Sequence, residues 1–521
     1  MMKFPTLIKD LREKAGHLVM NTPLYRWSLG NGETAVKLGT VPLDPWTGDA
    51  EHGRWLCGGA FAIDGALLEK IDGNSNFEPT DVSAAWLSHM HGFSWLRDLR
   101  ALGGDEARQQ ARALTSDWIN RYGQWHERFW RADLAGTRIG NWIALYDFFA
   151  ASADEEFQDK LLASLVRQAR HLTRSLPNGV SGIAALQAYR GLALAGIAVE
   201  DHEAWLEQAL DGIEREIGKQ ILSDGGHISR SPAQLFAAFQ IMIEVRAGLV
   251  SGGWSIPPGL THAIDRMAQA IRFFRTADKH FALFNGTQEG DAALIDAALA
   301  KANAHGKILS RLPESGFERL SLGRSLLIFD AGMASFPYDS SAHAAPLAFE
   351  FSYGKERIFV SCGSHPLEDD WRESLRGTAA HNALTLDHRN ACEIGADGHI
   401  GRKPRKITVM REESDDAILV EASHDGYVPL NGITHSRRLY LGEQGHDLRG
   451  EECLSCTVGL NRPVEVSLRF HLHPHVQVSL IRDGQEALLR LRGGAGWRFA
   501  FSGGAMSLEN SVYLGEGTRP V

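Results

Sequence analysis

Two hydrophobic periods divide this chain of 521 residues, and the switch between them near Ser315 constrains its fold more than any other feature. Before the switch, apolar residues recur at three- and four-residue steps, which places them on one face of a helix. The spacing predicts helices over about 82–102, 104–130, 135–152, 154–175, 181–198, 201–220, 231–250, 258–275 and 290–303, parted by clusters such as Leu176-Pro177-Asn178-Gly179 and Ser251-Gly252-Gly253-Trp254. Trp86, Trp95 and Leu99, then Trp118, Tyr122, Trp125 and Phe129, fall at helical spacings and are expected at helix–helix contacts. A row of paired helices of this kind stacks as a solenoid or closes into a toroid. Past Ser315 the period drops to two. Short alternating runs at 326–330, 345–351, 357–360, 383–386, 407–411, 417–422, 435–441, 464–471, 488–491, 498–501 and 511–514 predict an all-β sandwich.

The expected fold class is therefore α+β and multidomain: an N-terminal helical domain followed by a C-terminal antiparallel β-sandwich. The expected division is an arm over 1–80, a helical domain over 81–310 and a sandwich over 311–521. In the arm, the turn-rich 41–49 stretch precedes a short strand expected within 54–63.

Composition narrows the partners. A net charge of −10 argues against a general nucleic-acid or anionic-membrane binder, which needs clustered basic residues. It leaves room for an anionic sugar held in a locally basic cleft. The 13 tryptophans favour carbohydrate handling weakly, because indoles stack on sugars but also fill cores. The N-terminus lacks the apolar core of a signal peptide, and no run reaches the roughly 18–20 apolar residues of a membrane span. Five thinly spread cysteines suit a reducing compartment, so a cytoplasmic location is expected, with a periplasmic one as the alternative. Cys453-Leu454-Ser455-Cys456 is a lone CxxC without the second pair zinc requires, and reads as structural.

The stretch from Asp339 to Asp387 carries the densest chemistry. Two strand-like runs joined by Tyr353-Gly354-Lys355 place His343 before one strand, and a later run places His381 before another. The ordered elements His343…Leu347…Phe349-Glu350, Gly354…Arg357-Ile358-Phe359-Val360…Gly363 and Trp371-Arg372…Arg376…Thr378-Ala379-Ala380-His381-Asn382 resemble the C-terminal sheet domain of the heparinase II/III-like polysaccharide lyases. No crisp sequence repeat marks the helices, so the choice of a toroid leans on this resemblance, which implies an N-terminal incomplete (α/α) toroid.

Such a lyase removes the proton α to a uronate carboxylate. It needs a group that neutralises the carboxylate, a base, and an acid for the departing oxygen. The resemblance implies an Asn-His pair on a toroid helix, a tyrosine in a D-G-[GS]-H-x-E-x-S-x-x-Y helix entry, and an H-x-H at the start of the sheet stretch. Any zinc would be held by the second His of that H-x-H, an Asp in a V-D-x-G run and the His of A-H-N. Carried over singly, Asp224-Gly225-Gly226-His227 through Gln234 matches the helix entry, with Ser229 at the Glu position and Gln234 at the Tyr position. The Asn-His helix corresponds to residues 182–189, where no Asn-His occurs. The H-x-H reads Ser341-Ala342-His343. The zinc Asp position is Ser361, while His381 is retained. A zinc on His343 and His381 would lack its carboxylate.

Other residues could replace the missing groups. His227 and Arg230 flank a helix start, where Gly225-Gly226 allows close backbone approach and an Arg offers a carboxylate seat. The competing reading is a plain turn with Ser231-Pro232 as cap. Arg372 and Arg376 could clamp an acidic sugar, or pair with Glu368, Asp369 and Asp370 on a solvated loop. Gln234 and Asn382 complete the expected substrate contacts. His424-Asp425-Gly426-Tyr427 reads as a turn, with Tyr427 a candidate acid or base. Three histidines in Arg469-Phe470-His471-Leu472-His473-Pro474-His475 share one strand face. That spacing could hold a metal, yet no carboxylate or cysteine lies beside it in sequence. Asp278…Phe284-Asn285-Gly286 reads as a loop at the cleft.

Three functions compete. The first is β-elimination of an acidic polysaccharide or oligosaccharide in the cleft of toroid and sandwich, with His227, His343, His381 and Tyr427 as acid–base candidates. The second is glycoside hydrolysis, which needs two carboxylates roughly 5–9.5 Å apart, available from Asp224, Glu350 and Asp425. The third is a non-catalytic glycan-binding or cell-envelope-related protein on the lyase fold, favoured by the residues lost. Oligomeric state is open.

Overall fold

In the computed structural model, the described residues are 20, 22–30, 37–63, 66–68, 77, 82–333, 335–456, 459–460 and 462–521. The chain forms two compact units, one of residues 1–219 with 238–262, the other of residues 220–237 with 263–521.

The first unit is helical. Its helices include Ala84–Gly92, Leu96–Leu102, Gly104–Tyr122, Ala132–Ala144, Glu155–Ser175 and Gly182–Ala198. The expected 82–102 helix is two helices, because Phe93 takes a left-handed conformation (φ 60°) that ends the first. The expected 104–130 helix stops at Tyr122, so Trp125 and Phe129 are buried from the turns beyond it. Phe93, Trp118 and Trp142 meet edge-to-face in the core, at centroid distances of 5.2–5.9 Å. Ala132–Ala144 and Gly182–Ala198 touch backbone to backbone: a Cβ on Gly191 would lie 2.2 Å from the Gly136 carbonyl oxygen. The expected strand at 54–63 is corrected at its start. Asp49 caps a helix over Ala50–Cys57 by accepting from the Glu51 N–H, and the strand is only Phe61–Ile63. Arg97 and Arg100 anchor the turn-rich arm through the buried Asp44. Pro232–Ser251, contrary to the sequence expectation, is long and apolar enough to cross a membrane by length and composition, but 61% of its apolar window is buried inside the protein.

The second unit carries the sheets. A five-stranded antiparallel sheet runs Arg311–Leu312, Phe317–Leu322, Ser325–Asp330, Phe349–Tyr353 and Glu356–Phe359. A four-stranded sheet is ordered Asp447–Cys456, Ile433–Gly442, Ile418–Tyr427 and Ile407–Glu413. A third sheet joins Gln477–Ile481, Glu486–Arg490 and Gly496–Ala500. Their inner faces share one core: Leu320, Leu327, Phe349 and Phe351 from the first, Val420 and Leu439 from the second, Leu489 from the third. This is a sandwich, as expected. The turn expected at 424–427 is instead strand. His424 pairs with Ile407 and His435, and a register shift falls between His424 and Tyr427. The expected strand at 511–514 is absent beyond one bridge, Gly363 to Leu514.

Candidate functional site

Within the second unit, three segments converge: the helix entry 220–234, the loop 284–287 and the turn 338–344. Asp224 closes the first by accepting from Gly226 N–H (3.0 Å), Ser315 N–H (2.7 Å) and the Ser315 hydroxyl (2.9 Å). The two glycines are needed for the chain's own contacts rather than for a ligand. A Cβ would meet Ser315 Oγ at 1.9 Å from Gly226 and the Arg266 carbonyl oxygen at 2.2 Å from Gly225, which also has φ +84°.

His227 is buried. Its Nδ1 accepts from the Ser229 N–H (3.1 Å), so Nε2 carries the proton and donates to Gln220 Oε1 (3.1 Å). Burial lowers its pKa to about 4. Tyr338, half-buried on the facing turn, approaches its ring edge-on at 6.5 Å.

Arg230 does not reach outward. It donates to the Ser315 carbonyl (2.7 Å) and to Asp330, a buried ion pair, and lies 4.7 Å over the Phe317 ring. Asn285 joins this entry to His343. Its Nδ2 donates to the Arg230 carbonyl (2.9 Å), and its Oδ1 accepts from the His343 N–H (2.9 Å). Backbone N–H groups of Asn285 and Gly286 point at His343 Nδ1 (3.2 Å) and Nε2 (2.9 Å). A protonated ring would set both its N–H groups against these donors, so His343 is held neutral. Burial, then His381, Arg376 and Arg230, push its pKa well below the usual range.

The His381 ring stacks on His343 with centroids 4.0 Å apart. It is fully buried, and neither ring nitrogen has a hydrogen-bond partner, although the Leu375 carbonyl is near enough to favour the charged form. Burial and the neighbouring His471 lower it to about 3. Gln234 and Ser341 meet across the entry, with Nε2 donating to Oγ at 3.0 Å. Together with His343 they are half-buried polar side chains.

The remaining candidates lie in supporting positions. Arg376 donates to the carbonyls of Ala342 (2.9 Å), Gly398 (2.8 Å) and Asp339 (3.2 Å), which fastens the turn bearing Ser341 and His343. Asn382 donates to the carbonyls of Phe349 and Val360 and accepts from His471 N–H. Arg372 pairs with Asp369 inside the helix Asp369–Ser374. Tyr427 is sealed in an apolar cluster with Leu384, Leu386, Ala391 and Ile433, and its hydroxyl donates to the Leu384 carbonyl (2.6 Å). Of the carboxylates weighed for hydrolysis, Glu350 is buried and accepts from Leu283 and Ser361 N–H, with burial raising it to about 7. Asp425 accepts from Arg405 and Lys406 N–H. Asp224, Glu350 and Asp425 are thus each spent on a different backbone segment.

A zinc on His343 and His381 does not fit this arrangement. Both His343 nitrogens already face backbone donors, the two rings stack face to face, and Ser361, whose buried Oγ has no partner, offers no carboxylate. Tyr338 carries no signal in the sequence, and the loop expected at the cleft, Asn285-Gly286, also holds His343. Its one signal was the Asn-Gly pair, which suits the positive φ of both residues (50° and 77°).

Comparison with known proteins identifies the scaffold. The family model "Heparinase II/III N-terminus" matches residues 68–305, and "Heparinase II/III-like, C-terminal" matches 304–521. FtsZ-localized protein C of Caulobacter vibrioides is 31% identical over 93% of this chain and 86% of its own length. A heparin-sulfate lyase of Bacteroides thetaiotaomicron is 24% identical over 39% of this chain and 32% of its own. The crystal structure of heparinase III superimposes with a TM-score of 0.69 at 17% identity, covering 94% of this chain and 84% of that one. Heparan sulfate lyase HepC from Pedobacter heparinus gives 0.57 at 16% identity, covering 91% and 78%. These two share the fold. With both halves matched and a relative at this identity along nearly its whole length, the chain belongs to the heparinase II/III-like family of carbohydrate-active proteins.

Proposed function

We propose that this chain uses the heparinase II/III-like scaffold to bind a polysaccharide without cleaving it. The observation that carries this reading is the hydrogen bond from Gln234 to Ser341 (3.0 Å). At these two positions the family pattern expects a tyrosine and a histidine. An amide and a hydroxyl can neither take nor give the proton of a β-elimination at neutral pH. The charged groups nearby are committed: Arg230 to Asp330, Arg376 to three carbonyls. The half-buried Gln234, Ser341 and neutral His343 suit sugar hydroxyls better than a uronate carboxylate.

The test is incubation with uronate polymers, following the ultraviolet absorbance of unsaturated products and the release of reducing ends, beside a glycan-binding panel. The expected result is binding with neither product. A rising absorbance overturns the proposal in favour of elimination, and failure to bind any glycan removes the carbohydrate reading itself.

A second reading rests on the 31% identity with a protein named for its localisation with FtsZ. Under this reading the chain, too, localises with FtsZ. A fluorescent fusion that concentrates at midcell supports it, and a uniform distribution through the cell cycle refutes it.

A further inference from the structure

We propose that Glu289, His473 and Glu516 form a divalent transition-metal site. One ligand atom from each lies within 4.8 Å of the others. The residues come from three separated stretches, none of them among the positions to which the family pattern assigns zinc. The run of three histidines, expected as a strand, is instead a single bridge at Leu472 followed by a turn, the strand being only Val466–Leu468; it lacked a carboxylate neighbour in sequence, and the fold supplies two.

The backbone around these donors is fixed. Glu289 N–H donates to the Gly515 carbonyl (2.9 Å), and the Tyr513 hydroxyl donates to Glu289 Oε1. Gln288 Nε2 donates to the carbonyls of Leu514 (3.2 Å) and Gly517 (2.8 Å), which holds the chain on both sides of Glu516. His473 N–H donates to the Ile358 carbonyl (3.0 Å). His473 Nε2 stands 3.7 Å from Glu289 Oε1, close to the spacing of two ligands on a tetrahedral ion with bonds of about 2 Å. Glu289 and His473 are buried and Glu516 is exposed, so two donors are preset and the third guards an entry from solvent.

Charge points the same way. Arg357 pairs with Asp278 (2.8 Å) and also with Glu289 Oε1 (3.8 Å). His280 Nδ1, 3.9 Å from Glu289 Oε2, is occupied by the Gly290 carbonyl (2.8 Å). With Asp278 and Arg357 cancelling, Glu289 and Glu516 leave two negative charges beside an imidazole. One nitrogen and two carboxylates suit zinc, cobalt or manganese better than the all-oxygen preference of calcium or magnesium. His475 lies beside the group, its ring 4.6 Å from that of His473. In the ion-free ring, His475 N–H donates to His473 Nδ1 (3.2 Å), so the ring proton sits on Nε2. Coordination at Nε2 shifts that proton to Nδ1 and opens the contact with His475.

The experiment titrates the chelator-stripped full chain with Co²⁺, followed by visible absorption, and with Zn²⁺ by calorimetry. One equivalent is expected to bind. Glu516→Gln removes an exposed donor with little risk to folding and should weaken binding by about tenfold or more; His473→Gln should do the same and abolish the imidazole signature of the Co²⁺ spectrum. His388→Gln, at an exposed histidine elsewhere, should bind as wild type. No uptake by the stripped wild type, or uptake unchanged in both Glu516→Gln and His473→Gln, overturns the proposal.

Discussion

Arg230 offers the sharpest test of how the candidate site is built. Sequence spacing suggested a carboxylate seat, whereas the structure buries the guanidinium against Asp330, the Ser315 carbonyl and the Phe317 ring. Arg230→Met keeps most of the apolar stem and deletes the charge. Among the described residues, the buried Asp330 carboxylate then keeps only the Gly332 backbone N–H (3.2 Å) as a donor. Breaking one partner out of a buried pair costs about 3–5 kcal/mol. At roughly 2 °C per kcal/mol for a unit of this size, the melting transition should fall by about 6–10 °C. Asp330→Asn in the same chain removes the orphaned charge, so the double variant should recover part of the loss. The pH dependence has a definite sign. Burial already raises the Asp330 carboxyl above its ordinary value, with Arg230 opposing. Losing Arg230 raises it further. The penalty of Arg230→Met is therefore full near neutral pH and shrinks as pH falls toward the unfolded carboxylate pKa, because the buried acid takes up a proton. Thermal melts of wild type, Arg230→Met and the double variant between pH 5 and 7.5 read all of this. A variant that melts like wild type yet loses glycan would refute the structural role and restore Arg230 as a ligand contact.

Two further outcomes follow from the same geometry. His227 is neutral and buried with a pKa near 4, below its unfolded value of about 6.5; its stability contribution is complete above pH 6.5 and is lost as pH falls, by about 2 kcal/mol at pH 5. His227→Gln should flatten that part of the profile measured by thermal melts, and an unchanged slope would contradict the burial argument. Gly226→Ala would place a Cβ 1.9 Å from Ser315 Oγ and should cost about 1–3 kcal/mol by denaturant unfolding, whereas Ser315→Gly beside it should recover most of the loss.

Much of the fold was legible because its helices bury one stripe and its inner strands alternate. The missed strands lack that signal for physical reasons. Phe317–Leu322 buries four successive residues, so Glu318 and Arg319 interrupt a run that would otherwise read as apolar. Asp447–Cys456 is a largely exposed edge strand with few apolar residues to alternate. Ile418–Tyr427 continues through Asp425-Gly426, a pair that ordinarily ends strands, because His424 is satisfied inside the sheet by His435 (3.1 Å) and His435 by Glu452 (2.6 Å). The lone CxxC lies on a strand, where residues three apart face opposite ways.

The site shows a different limit. Motif spacing singles out the helix entry, His343 and His381 as candidates, but not which of their polar atoms are already taken. Arg230 meets its partner 100 residues away, and His343 is fixed by backbone N–H groups whose direction depends on the positive φ of Asn285 and Gly286. The same contacts explain why the substitutions sit together without strain. Glu350 is already a buried acid accepting from the Ser361 N–H; a second carboxylate at 361 would put two like charges in one dry pocket, which is costly without a cation. A serine there, with neutral His343 and His381 behind it, lets this core close without a metal. Gln234 and Ser341 then complete each other as a neutral pair. Gln234, Ser341 and Ser361 are uncharged at neutral pH, so none of them calls for a counterion where water is scarce.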